Sequence, residues 1–175
     1  MTENPNPPAL VADIGGTHVR FALAAASGGP SDRQTLDCAD FESPADAVES
    51  YLSSLQLSER PRVACFAVAS PIDADRVEMT NHVWGFSVEE TRRQLGLERL
   101  EVINDFAAIA LSIPTLGDED RRRLKQGEPR TGSPIAVLGP GTGLGVSVLI
   151  PHQEGWLALA TEGGHRGGKI LMNSY

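Results

Sequence analysis

Asp13-Ile14-Gly15-Gly16-Thr17 stands between two apolar runs, Leu10-Val11-Ala12 before it and Val19 to Leu23 after it. A strand, a glycine turn and a returning strand are predicted. The unit recurs at Gly139-Pro140-Gly141-Thr142-Gly143-Leu144-Gly145, which Ile135 to Leu138 enters and Val146 to Ile150 leaves. Each turn can present backbone N–H groups to an anion with no side chain in the way. Two such turns can grip one polyphosphate from opposite sides, which points to a nucleotide cleft between two related halves.

The first turn is neither a P-loop nor a dinucleotide fingerprint. Both of those need a helix directly after the glycines, whereas Val19-Arg20-Phe21-Ala22-Leu23 continues as a strand. Asp13 can hold a water of a Mg²⁺ bound to phosphate oxygens, and Thr17 can donate its hydroxyl to the same phosphates. The plainer reading of this stretch alone is a tight hairpin with Asp13 bonding its own turn. The second turn tips the balance toward phosphate.

The 175 residues suffice for one domain or two small lobes with a real core. A hydrophobic fraction of 41% is ordinary for a globular chain, and no apolar run approaches the ~20 residues of a membrane span. Met1 to Pro8 reads as a polar, proline-rich lead-in, not a signal peptide. The formal charge of -8 argues against binding to nucleic acid or to an anionic membrane. A polyphosphate must then be held by local N–H groups and a divalent cation. Cys38 and Cys65 have no metal-like spacing and read as buried or idle thiols of a reducing cytosol.

Ser43-Pro44-Ala45-Asp46 predicts a helix start, with serine as cap, proline at the first position and an acid in the first turn. Val48, Tyr51, Leu52 and Leu55 follow at helical spacing. Val63 to Ala69 predicts an interior strand. Ser87 with Glu90 forms a capping-box pattern, and Gly96 closes the helix that follows. Leu100 to Ile103 predicts a strand, Phe106 to Leu111 a helix, and Asp118 to Gln126 a charged helical segment stopped by Gly127. Strands alternate with helices while hairpins occur at both glycine turns. The expected fold class is therefore α/β with a mixed sheet.

Asn104-Asp105 ends the strand Leu100 to Ile103 and directly precedes a helix. Strand ends are where α/β proteins place ligands. A carboxylate there can take a proton from an attacking hydroxyl while the neighbouring amide holds another hydroxyl. An isolated Asn-Asp would more simply cap the helix, but beside a phosphate cleft the base is favoured. Glu162-Gly163-Gly164-His165 can form a polar clasp for vicinal hydroxyls, although alone it reads as a polar turn. Trp84, in Thr80-Asn81-His82-Val83-Trp84, reads as core. His18 and His152 have no partner pattern, and these histidines and cysteines form no metal site.

Taken together, these runs resemble the bacterial glucokinase family, within the superfamily of sugar kinases, actin and Hsp70-type ATPases. Val11 to Thr17 is similar to its first phosphate motif, and Glu101 to Ala108 to the segment with its catalytic aspartate. Thr80 to Phe86 also matches, Leu138 to Val146 is similar to the second phosphate loop, and Glu162 to His165 to the sugar clasp. His18 stands where the family usually has asparagine. The resemblance implies a ribonuclease H-like (actin-like ATPase) lobe over 9–134, after the lead-in 1–8. A second, incomplete lobe begins over 135–165 and an atypical tail spans 166–175.

The implied activity is transfer of the ATP γ-phosphoryl group to the 6-hydroxyl of glucose, as in glycolysis. Asp105 would be the base, with Asn104, Asp105, Glu162 and His165 holding glucose. Ala12, Asp13, Ile14, Gly15, Gly16, Thr17, Gly141, Thr142 and Gly143 would hold ATP, and Asp13 a Mg²⁺ through water. The implied location is cytoplasmic, and the resemblance implies a homodimer for the full-length family.

After His165 the pattern stops, so the chain reads as an N-terminal part, with exposed apolar surface expected around Ile135 to Ile150. Two other readings are a sugar-binding remnant without catalysis and a sugar-independent ATPase of the actin or Hsp70 kind. The latter has no need of the Asn-Asp and Glu-x-x-His groups.

Overall fold

The structure is a computed structural model that describes residues 7–25, 29–70, 72, 74–79, 84–128, 130–140, 144–153, 155–160 and 170–171. The chain divides into two compact units, 1–105 and 106–175.

In the first unit, β1 (Ala9–Ile14) and β2 (His18–Ala24) form the antiparallel hairpin expected around the first glycine turn, and β3 (Ser31–Asp37) extends it. On the other side of β1, β4 (Val63–Val68) and β7 (Arg99–Asn104) add in parallel, giving the order β3-β2-β1-β4-β7. This is the mixed, ribonuclease H-like sheet. A short hairpin of β5 (Arg76–Glu78) and β6 (Gly85–Ser87) lies between β4 and β7 in sequence.

One face of the sheet makes the core. Leu10, Ala12 and Ile14 of β1, Phe66 and Val68 of β4 and Leu100 and Val102 of β7 alternate inward, as period-two strands require. They pack with Val48, Tyr51 and Leu52 of α1 (Pro44–Ser53) and with Val77, Trp84 and Phe86 beside the short hairpin. A fully buried side chain such as Phe66 contributes roughly 1.5–3 kcal/mol by leaving water. Trp84 is core, as expected, and its indole N–H donates to the Phe41 carbonyl at 3.0 Å. The opposite face, with Val11, Cys65, Ala67 and Ile103, is only half-buried, so Val63 to Val68 is interior to the sheet yet fully buried on one face only.

Both helix starts use the expected caps. Ser43 Oγ accepts from the Asp46 amide at 3.2 Å, with Pro44 leading α1. At α2 (Val88–Gln94), Ser87 Oγ accepts from the Glu90 amide at 3.1 Å. Asp75 also joins this start: it accepts from the Ser87 hydroxyl and, at 2.9 Å, from the Glu89 amide, and these bonds lower its pKa. Gly96, at φ +66°, ends α2. Its amide donates to the Arg93 carbonyl and the Leu97 amide to that of Arg92, a Schellman closure.

In the second unit α3 (Asp105–Ser112, its first residue belonging to the first unit) leads to β8 (Ile135–Pro140), β9 (Leu144–His152), β10 (Gly155–Ala160) and β11 (Ile170–Leu171). These strands pair antiparallel in the order β11-β10-β9-β8. Ala110, Val137, Leu149 and Ala158 form its small core. Leu138 and Leu144 are exposed beside the second turn, at 65% and 57%.

The helical segment expected over 118–126 shrinks to one 3₁₀ turn, Asp118–Asp120. A segment polar all round has no face to bury, and Leu124 is 91% exposed. Arg121 also donates to the carbonyls of Ile113 and Leu116, which ties the chain back to the preceding turn.

Candidate active site

The first glycine turn is braced from behind. The Gly15 amide donates to the His18 carbonyl at 2.9 Å, and the Cys38 amide to the Thr17 carbonyl at 2.8 Å. The Cys38 thiol points at the Gly15 carbonyl oxygen, 3.7 Å away. Cys38 is fully buried, and burial, with the Asp37 charge second, pushes its thiol pKa up and keeps the proton on sulfur. Read from sequence as buried or idle, this cysteine is buried but has a task. Its position has no sequence signal, because the contact spans 23 residues.

With the carbonyls turned inward, the amides of Gly16 and Thr17 take no backbone partner among the described residues, and both residues are exposed. The Gly15 site is tight as well, since a Cβ there would lie 3.2 Å from the His18 carbonyl oxygen. Two exposed amides of the turn are thus left without a backbone partner among the described residues, as a turn that meets an anion requires. Ala12 and Ile14 point their side chains into the core, at 6% and 1% exposure, so they can serve a phosphate only through backbone. Thr17 is exposed on the turn.

Two cross-strand pairs flank the turn. Asp13 Oδ2 accepts from Arg20 Nη1 at 2.9 Å, and His18 Nε2 lies 2.9 Å from Asp37 Oδ1. These partners stand opposite each other in the β1–β2 and β2–β3 registers. Arg20 engages one oxygen of an exposed carboxylate, so a hard, hydrated cation is compatible with the other. Among the described residues no cluster of three or more histidine, cysteine or acidic side chains could hold a metal directly. Asp13 fits a water-mediated Mg²⁺ role only.

The parallel strands bring the second group to the same edge. Ile14 pairs in register with Val68, and Val68 with Asn104, so the three strands end level. Gly15 and Asp105 are each the next residue along. At a strand spacing of about 4.8 Å, Ile14 and Asn104 lie about 10 Å apart. Asn104 Nδ2 lies 3.5 Å from the Ser70 carbonyl, and the buried Ser70 donates its hydroxyl to the Glu78 carbonyl at 2.9 Å. Ser70 thus backs the Asn104 amide. Asp105, half-buried, opens α3.

Gly141, Thr142 and Gly143 of the second turn, and Glu162 and His165 of the clasp, lie outside the described residues. The strands around that second turn are as expected, with Ile135 to Pro140 registered against Leu149 to Leu144. Among the described residues no helix is long and apolar enough to cross a membrane.

The family model described as Glucokinase matches residues 10–168. A glucokinase of Paramagnetospirillum magneticum is 55% identical over 157 residues, 89% of this chain and 49% of the relative. One from Aromatoleum aromaticum is 49% identical over 90% of this chain and 48% of the relative. Among solved structures, a glucokinase from an Antarctic psychrotroph superposes with a TM-score of 0.81 at 40% identity, covering 95% of this chain and 53% of that one. The chain thus spans about half the length of the curated relatives it matches.

Proposed function

Because the chain belongs to the glucokinase family, we propose that it is the part of an ATP-dependent glucose kinase that carries the proton-accepting carboxylate and both glycine turns. The reaction is transfer of the γ-phosphoryl group of ATP to the 6-hydroxyl of glucose. Its setting is the cytoplasm, and a homodimer is the assembly expected of the full-length protein.

The observation that carries this reading is the level ending of β1, β4 and β7, which sets a phosphate-shaped turn and Asp105 at one sheet edge. Asp105 takes the proton of the 6-hydroxyl as attack on phosphorus develops. Asn104, Glu162 and His165 hold the other hydroxyls, so the nucleophile meets phosphorus in line. The Gly16 and Thr17 amides, with amides of the turn Gly141 to Gly143, stabilise the phosphate oxygens as charge redistributes. Asp13 would hold Mg²⁺ through water, and the ion would supply neutralisation of phosphate charge. The functional division falls at Ile135, with the base and first turn before it and the second turn and sugar clasp after it.

A coupled assay on the purified chain with ATP, Mg²⁺ and glucose tests this. Glucose-dependent ADP formation is expected. ADP formation that ignores glucose would indicate an ATPase instead. A thermal shift with glucose but no turnover would indicate a sugar-binding protein without catalysis.

A further inference from the structure

Phe106 follows Asp105 directly, and its ring lies on the base of the second glycine hairpin. Gly139 and Gly145 are cross-strand partners there, on either side of the turn. A Cβ at Gly139 would come within 3.1 Å of Phe106 Cε1 and Cζ, and one at Gly145 would overlap the ring outright. Neither glycine has a positive φ, so their backbone conformation makes no demand for glycine. The ring does. The two missing side chains are one seat, and Phe106 fills it.

We propose that Phe106 is a positioning residue: its ring, clamped on the Gly139–Gly145 pair, ties the location of the Asp105 carboxylate to the base of the phosphate hairpin. This rests on the reading of Asp105 as the base. The rest of α3 packs on the same unit, with Ala110 buried against Val137, Leu149 and Ala158. The first turn of the helix therefore has a fixed body behind it. A displacement of the hairpin base must move the ring, and Phe106 is joined to Asp105 by one peptide bond.

The test is a double-mutant cycle read at Asp105 itself, through the ¹³Cγ resonance of its carboxyl in the otherwise unaltered chain. Gly145→Ala should displace that resonance in the wild-type background. In the Phe106→Ala background the same substitution should leave it unmoved. Gly139→Ala, whose contact at 3.1 Å asks a smaller shift of the ring, gives the same pattern at lower amplitude if Gly145→Ala fails to fold. An Asp105 resonance that stays put while the melting temperature falls would reduce the contact to packing and overturn the proposal. Equal displacement in both backgrounds would also overturn it, since transmission would bypass the ring. The signal needs neither glucose nor ATP. Absence of glucose-dependent turnover would therefore count against the kinase reading and leave this coupling to be decided by the resonance.

Discussion

Ile14 and Asn104 stand level in one sheet, two strands apart, with Val68 hydrogen-bonded between them. The consequence is chemical. The amides after Ile14 and the backbone of Asp105 after Asn104 are separated by a single intervening strand, on one parallel framework. Small displacements in such a framework cost more than loop motions do, because every strand end is tied by ladder hydrogen bonds and by the core beneath.

If Asp105 accepts the proton of the 6-hydroxyl, the chain must discriminate between glucose and 6-deoxyglucose. A hydrogen bond to a charged group is worth about 1.5–3 kcal/mol, or roughly ten- to a hundredfold in Kd. Titration calorimetry with both sugars should show that preference, and Asp105→Asn should narrow it. Equal affinities for the two sugars in the wild type would place the 6-hydroxyl elsewhere.

Tyr51 supplies a pH test of the core. It is fully buried, stacks on Phe21 with ring centroids 5.0 Å apart, and donates to the Asp32 carbonyl at 2.8 Å. Burial, helped by the Asp32 charge, pushes the phenol up to about 12 from its ordinary 10. A raised folded-state value means the contribution is whole below pH 10 and is lost as pH climbs through 12. Thermal melts across that window should fall steeply for the wild type and less steeply for Tyr51→Phe. Parallel curves would contradict the assignment.

Gly96 closes α2 at φ +66° with open space where a Cβ would point. Gly96→Ala should therefore cost only the left-handed backbone penalty, about 1–2 kcal/mol, lowering the melting temperature by several degrees. Gly96→Asn should cost less. An unchanged melt for the alanine variant would mean that the closure relaxes.

The hairpins, the α1 cap and the Gly96 stop were legible in sequence because each is a local signal, set within about five residues. The mixed sheet followed from them. The stretch 118–126 misled because charge spacing suits a helix, while helix formation there needs an apolar face that the stretch lacks. Asn104-Asp105 and Asp13 to Thr17 could be picked out as chemistry-bearing, but their level placement depends on the β1–β4–β7 register, which is long-range. The same holds for Cys38 behind the turn, Ser70 behind Asn104 and the ring of Phe106 on Gly139 and Gly145. Each of these joins residues at least 23 apart in the chain.

The role of Asp105 is tested most directly by the rate of glucose-dependent ADP formation, measured on the wild type and on Asp105→Ala under saturating ATP and Mg²⁺. Loss of a positioned base should lower the rate on the order of 10²–10⁴-fold, with circular dichroism and melting temperature retained. Turnover in Asp105→Ala equal to that of the wild type would contradict it.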